Sequence, residues 1–105
     1  MSLNQTFAAL SDPTRRDLLQ RLETGEQTLS DLAAPLPITL MAVQKHVRVL
    51  EEAELVTTHK VGRSRHVSLR REGLQHAVEW VVEVQTRWNE AFDRLAEVLE
   101  EERSS

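Results

Sequence analysis

Hydrophobic positions recur with helical spacing in five stretches of the chain, interrupted once by a segment rich in β-formers. Leu3, Phe7 and Leu10 predict a short amphipathic helix. Asp12-Pro13 reads as an N-cap followed by proline in the first helical position, where a missing N–H removes no helical bond. Leu18, Leu19 and Leu22 supply the buried stripe of this second helix, and Gly25 is placed to end it. Thr28 and Asp31 have the spacing of a capping box and open a short third helix that Pro35 closes. Pro37 holds the next turn extended, and Thr39 is the natural N-cap of a fourth helix running to about Ala53.

The fourth helix splits cleanly into two faces. Val43, Val47 and Leu50, with His46 beside them, face inward. Leu40, Met41, Gln44, Lys45 and Arg48 fall together on the outward face, which therefore mixes apolar and cationic side chains. Residues 55–61 and 65–69 then predict two strands with Gly62 at their turn, Arg63 at the tip and Arg65 just after it. The last segment is the most regular. Leu74, Val78, Val81, Gln85, Trp88, Phe92, Leu95 and Leu99 follow an unbroken 4-3-4-3 spacing, with Ala77, Val84, Ala91 and Val98 as a second column. Such a helix, over 73–102, would be about 45 Å long. A domain of this size covers only part of that stripe, so the rest is expected to meet a second copy, with Gln85 as the polar residue fixing register.

Charge changes the picture more than composition does. The 105 residues, 40% hydrophobic and 29% charged, are those of an ordinary globular domain. No apolar run approaches a membrane span, and MSLNQTFAAL lacks the basic-then-apolar order of a secretory signal, so a cytoplasmic protein is expected. The formal net charge is −4. Yet residues 39–71 carry seven cations against three anions, whereas residues 73–105 carry three against eight. A polyanion would sit on the basic middle.

This order of elements is that of a mainly α winged helix-turn-helix with a small β-hairpin. The whole chain, 1–105, is expected to be one domain, with the helix-turn-helix at 28–53, the wing at 55–69 and the long helix at 73–102. A helix in the major groove reads bases with its N-terminal residues, here Thr39, Leu40, Met41, Gln44 and Lys45. Gln44 can bond adenine, and Leu40 or Met41 can rest on a thymine methyl. Arg48 lies farther along and suits the phosphate backbone, while Arg63 and Arg65 suit the minor groove or its phosphates. Two blander readings stand beside these. Leu40 and Met41 can pack under the first helix, and Arg63 and Arg65 can be solvated turn charges. A rival function is also open: a winged-helix module that binds protein through its apolar patch.

Three segments, ALSDPTRRDLLQRL (9–22), TLSDLAAPLPITLMAVQKHVRVLEEAELV (28–56) and HKVGRSRHVSL (59–69), resemble the ArsR/SmtB family of bacterial winged-helix repressors. The final helix, with Trp80, Trp88 and DRLAEVL (93–99), is similar to the subgroup often encoded beside START-like proteins. The resemblance implies a DNA-binding repressor relieved by a signal, and an unknown small-molecule inducer is the partner expected beside DNA. It also implies a homodimer joined through the first and last helices, placing Leu3, Phe7, Val81, Gln85, Trp88, Phe92, Leu95 and Leu99 at the interface. The chain departs from the family in two places. Glu54 stands where members commonly have glycine, and Leu40-Met41 replaces a polar start to the recognition helix.

No cofactor, metal or catalytic centre is expected. The chain has no cysteine, so the thiolate pair that the resemblance would place in the third helix is missing. On the last helix only His76 and Glu79 share a face as candidate ligands, a sparse set for Zn²⁺. His46 is expected behind the recognition helix, and His59 and His66 exposed on the hairpin, with no cluster among the four histidines. Ser11, Ser30, Ser64 and Ser68 suggest no His–acid partner, and the three glycines form no phosphate loop.

Overall fold

The computed structural model describes residues 2–104. Helices α1 (Leu3–Leu10) and α2 (Pro13–Leu22) are followed by a short strand β1 (Gln27–Thr28), then α3 (Leu29–Ala33) and α4 (Leu40–Glu52). Strands β2 (Val56–Val61) and β3 (Ser64–Leu69), a 3-10 turn (Arg71–Leu74) and the long α5 (Gln75–Ser104) complete the order. Residues up to 75 form one compact unit and those from 76 onward a second. None of the described helices is long and apolar enough to cross a membrane.

Helix starts lie where the side chains dictate. Asp12 Oδ2 accepts the Arg15 N–H at 3.0 Å, and Thr39 Oγ1 accepts that of Ala42 at 3.1 Å. At α3 both capping-box bonds form: the Asp31 N–H reaches Thr28 Oγ1 at 3.1 Å, and the Thr28 N–H reaches Asp31 Oδ2 at 3.4 Å. Each satisfies a donor that the helix leaves unpaired. The first unit's core gathers Leu18 and Leu22 of α2, Leu29 and Leu32 of α3, and Val43, Val47 and Leu50 of α4. Leu55, Val56 and Val67 add the floor of the sheet. In α1 the buried residues are Thr6 and Ala9, while Phe7 stays exposed. The first helix thus seats its small residues and leaves its largest apolar one outside.

Strands β2 and β3 pair antiparallel across a two-residue loop, Gly62-Arg63, with Val61 opposite Ser64 and His59 opposite His66. Gly62 has φ 61°, a value that glycine adopts without penalty in such loops. The strand β1 is an addition to the expected hairpin. It pairs with β3 through Gln27–Val67 and Thr28–His66, giving the sheet order β1-β3-β2. The long helix opens at Gln75 rather than at about 73, because residues 71–74 tighten into the 3-10 turn.

The turn after α4 decides what the Glu54 departure means. Glu54 has φ 60°, so the left-handed turn forms with a side chain in place of glycine. Its N–H donates to the Glu51 carbonyl and that of Leu55 to the Leu50 carbonyl, both at 2.9 Å. This is a Schellman end, sealed by the buried pair Leu50 and Leu55. The left-handed backbone costs an L-residue about 1–2 kcal/mol. Arg70 Nη1, 3.3 Å from Glu54 Oε1, offsets a little of that from a half-exposed position.

Candidate nucleic-acid interface

Helix α4 presents the face the spacing predicts. Val43 and Val47 are buried, whereas Gln44, Lys45 and Arg48 are exposed. Met41 is 68% exposed and Leu40 46%, so neither is buried against α1. His46 is held behind this face. Its Nδ1 lies 3.3 Å from Arg15 Nη1 and 3.9 Å from Asp12 Oδ2. The Arg15 backbone N–H, with His46 and Arg15 charge as smaller causes, holds the Asp12 carboxyl below its ordinary range. These contacts tie the α1–α2 corner to the middle of α4, and so fix the helix's rotation.

The hairpin stands beside α4. Leu40, Gln44, Lys60, Arg63 and Arg65 border one depression between helix and wing. Gln44, Arg48, Glu51, Thr58 and Arg65 border the next. Gln44 and Arg65 are common to both, so one trough runs along the outer face of the helix. Lys60 pairs with Arg65 across the strands, which puts both on the same face of the hairpin.

Arg65 differs from the expected free wing charge. Its Nη1 donates to Thr58 Oγ1 at 2.8 Å, and the Thr58 hydroxyl donates to Glu51 Oε2 at 2.7 Å. A wing arginine is thereby fastened to the last turns of α4, with an anion behind it. Lys45, Arg48, Lys60 and Arg63 make no hydrogen bond or ion pair among the described residues, so their charge is available to a ligand.

The remaining basic residues explain why the free charge is local. Arg15 donates from Nε and Nη2 to the Ala9 and Ala8 carbonyls at 2.7 and 2.9 Å, and Arg16 donates to Leu10 O at 2.7 Å. Arg21 donates to Leu32 O and Asp31 O at 2.7 and 2.9 Å. These guanidinium groups satisfy the open carbonyl ends of α1 and α3. Arg70 is spent on Glu54 and Glu72. What is left uncommitted on the first unit lies largely on α4 and the wing.

The comparisons with known proteins match this geometry. The family described as Helix-turn-helix domain matches residues 10–59. The transcriptional repressor SdpR of Bacillus subtilis (strain 168) is 34% identical over 80 residues, 76% of this chain and 89% of that protein. A solved ArsR family transcriptional regulator is 40% identical, covering 83% of this chain and 90% of its own, with a TM-score of 0.79. An ArsR-like transcriptional regulator from Rhodococcus sp. RHA1 is 31% identical, covers 93% and 90%, and superposes with a TM-score of 0.83.

The chain belongs to the ArsR/SmtB family.

As an ArsR/SmtB member it is a winged helix-turn-helix transcriptional regulator that binds DNA, and not an enzyme. The similarities favour this reading over the protein-binding module. Within that frame the residues Thr39, Leu40, Met41, Gln44, Lys45, Arg48, Arg63 and Arg65 fall together along α4 and the wing. The sequence reading missed Lys60, and it missed Thr58 and Glu51 as the link to Arg65. The expected strand limits, 55–61 and 65–69, set Lys60 opposite His66, and the observed register sets it opposite Arg65 instead.

The histidine expectation requires a correction. His76 and Glu79 do share a face of α5, at 3.7 Å, as a two-ligand pair. But His59 and His66, expected as separate exposed residues, converge with Glu26 into a cluster. Their cross-strand pairing brings the two rings together, and the segment leading into β1 brings the carboxylate.

Proposed function

We propose that this regulator is a homodimeric repressor that places two copies of α4 in successive major grooves of a near-palindromic operator, with the wing on the flanking minor groove. One observation carries the reading: an exposed helix face in which Gln44, Leu40 and Met41 can address base edges while Lys45 and Arg48 stand unpaired beside them. Arg63 and Lys60 extend this charge along the wing. Repression is supported by the name of the relative SdpR, a transcriptional repressor.

Dimerisation is supported by α5. Described by itself, this helix keeps Val81, Trp88, Phe92, Leu95 and Leu99 exposed, with Phe92 at 67% and Trp88 at 65%. An apolar stripe this long in water calls for a cover. A second α5, joined by Leu3 and Phe7 of α1, supplies one, with Gln85 setting register. Release by a small molecule belongs to the same proposal.

Fluorescence anisotropy with labelled duplex from the gene's own upstream region, beside a scrambled duplex, tests the DNA reading across a salt series. Selective binding should weaken steeply with salt, because each neutralised phosphate releases condensed counterions. A flat salt response without sequence preference would sink it. Sedimentation tests the dimer: a mass of about 24 kDa, twice the 12.0 kDa chain, is expected. Phe92→Glu with Leu95→Glu should shift the chain to monomer at micromolar concentration, since burying two carboxylates in an apolar seam is prohibitive. A variant that stays dimeric would move the interface elsewhere.

A further inference from the structure

We propose that Glu26, His59 and His66 form a binding site for a divalent transition-metal ion of the zinc class, on the outer face of the sheet. His66 Nδ1 lies 3.0 Å from Glu26 Oε2, and His59 Nε2 lies 3.5 Å from Glu26 Oε1. One ligand atom from each residue can be chosen so that all lie within 4.8 Å of one another. Ligand atoms of a tetrahedral zinc centre with bonds of about 2.0–2.1 Å lie about 3.3 Å apart. The two carboxylate contacts, at 3.0 and 3.5 Å, are already near that edge. The rings are stacked, 5.4 Å between centroids and 22° from parallel, so the two imidazoles lie side by side on neighbouring strands, and a shared ion would require them to rotate toward it.

The chemistry of the donor set suits such an ion. Two imidazoles and a carboxylate are the ligand types of three-residue zinc sites, and the solvent side leaves a fourth position for water. Ser68 Oγ donates to Glu26 Oε1 at 2.9 Å and orients the carboxylate from behind, as outer-shell partners do. In the cluster His66 Nδ1–H donates to Glu26 Oε2 at 3.0 Å, and a bound cation would take the place of that proton. The other histidines lack these features. His46 Nδ1 faces a guanidinium, and His76 is paired with Glu79 alone among the described residues.

Strand alternation separates this site from the trough. Val67 is buried on the core side with Thr58 opposite it, so His59, His66 and Ser68 occupy the reverse face of the hairpin from Lys60 and Arg65. A bound ion would join the segment before β1 to β2 and β3. It would brace the wing from behind while leaving the cations free.

The test is titration of Zn²⁺ into the tag-free, chelator-treated full chain, in competition with a chromogenic chelator. One ion per chain is expected at micromolar affinity or tighter. His59→Asn and His66→Asn should each weaken binding on the order of 100-fold, and Glu26→Gln by a smaller factor, with His76→Asn unchanged. In the wild-type chain the imidazole NMR signals of His59 and His66 should shift with Zn²⁺ while those of His46 and His76 stay put. This keeps the test independent of variant folding. Absence of Zn²⁺ binding, binding that survives His59→Asn and His66→Asn, or signals that shift only at His76 would each overturn the proposal.

Discussion

Gly73→Ala is expected to lower the stability of the first unit by about 3 kcal/mol, near the upper end for an overpacked site. A Cβ on Gly73 would lie 2.1 Å from the Glu54 carbonyl oxygen and 3.0 Å from its carbon. Backbone cannot swing aside as a flexible side chain can. The Schellman end of α4 and the turn at Arg71–Leu74 would have to separate, which endangers the Arg70 N–H bond to Leu55 O at 2.9 Å. For a domain of 60–100 residues that loss corresponds to roughly 12–24 °C in Tm. Urea and thermal denaturation followed by circular dichroism measure it. A loss under about 0.5 kcal/mol would mean that the two turns do not pack this closely. Glu54→Gly probes the same turn with the opposite sign. Relief of the φ 60° backbone should raise stability by about 1 kcal/mol, less the weak Arg70 contact.

The second large effect belongs to DNA. The double change Lys45→Ala and Arg48→Ala should weaken binding to every duplex on the order of 100-fold. Both side chains are exposed and unpaired, so nothing in the chain is lost with them, and fold stability should hardly move. Their contribution is electrostatic. In a dimer four phosphate contacts vanish, and the slope of log K against log salt should become shallower by about 3–4. Gln44→Ala should leave that slope intact. It should instead relax preference at one base pair per half-site, by about 1–3 kcal/mol. Anisotropy over a salt series with operator point variants separates the two outcomes. Unchanged affinity and slope in the double variant would take α4 out of the groove. Arg65 is a different case, because its bond to Thr58 makes Arg65→Ala a change in wing placement as well as in charge.

Whatever depends on side chains within one or two helical turns was legible in the residues alone. The caps at Asp12, Thr28 and Thr39, the inward set Val43, Val47 and Leu50, and the outward set from Leu40 to Arg48 all follow from periodicity and short-range hydrogen bonding. The exposed apolar stripe of α5 was legible for the same reason. Long-range pairing was not. Strand β1 has two residues and no pattern of its own, and exists because β3 offers it an edge. Placing Ser64 in β3 rather than in the turn shifts the hairpin register by one residue, and that shift sets His59 opposite His66. Glu26 reaches His66 across 40 positions, and Arg21 reaches Leu32 O across 11. The amino-acid order by itself determined the helices and their faces, because those rest on local period and capping. The tertiary structure alone decided which arginines remain free for DNA and which histidines meet, because both depend on strand register and on carbonyls that only the folded chain brings within reach.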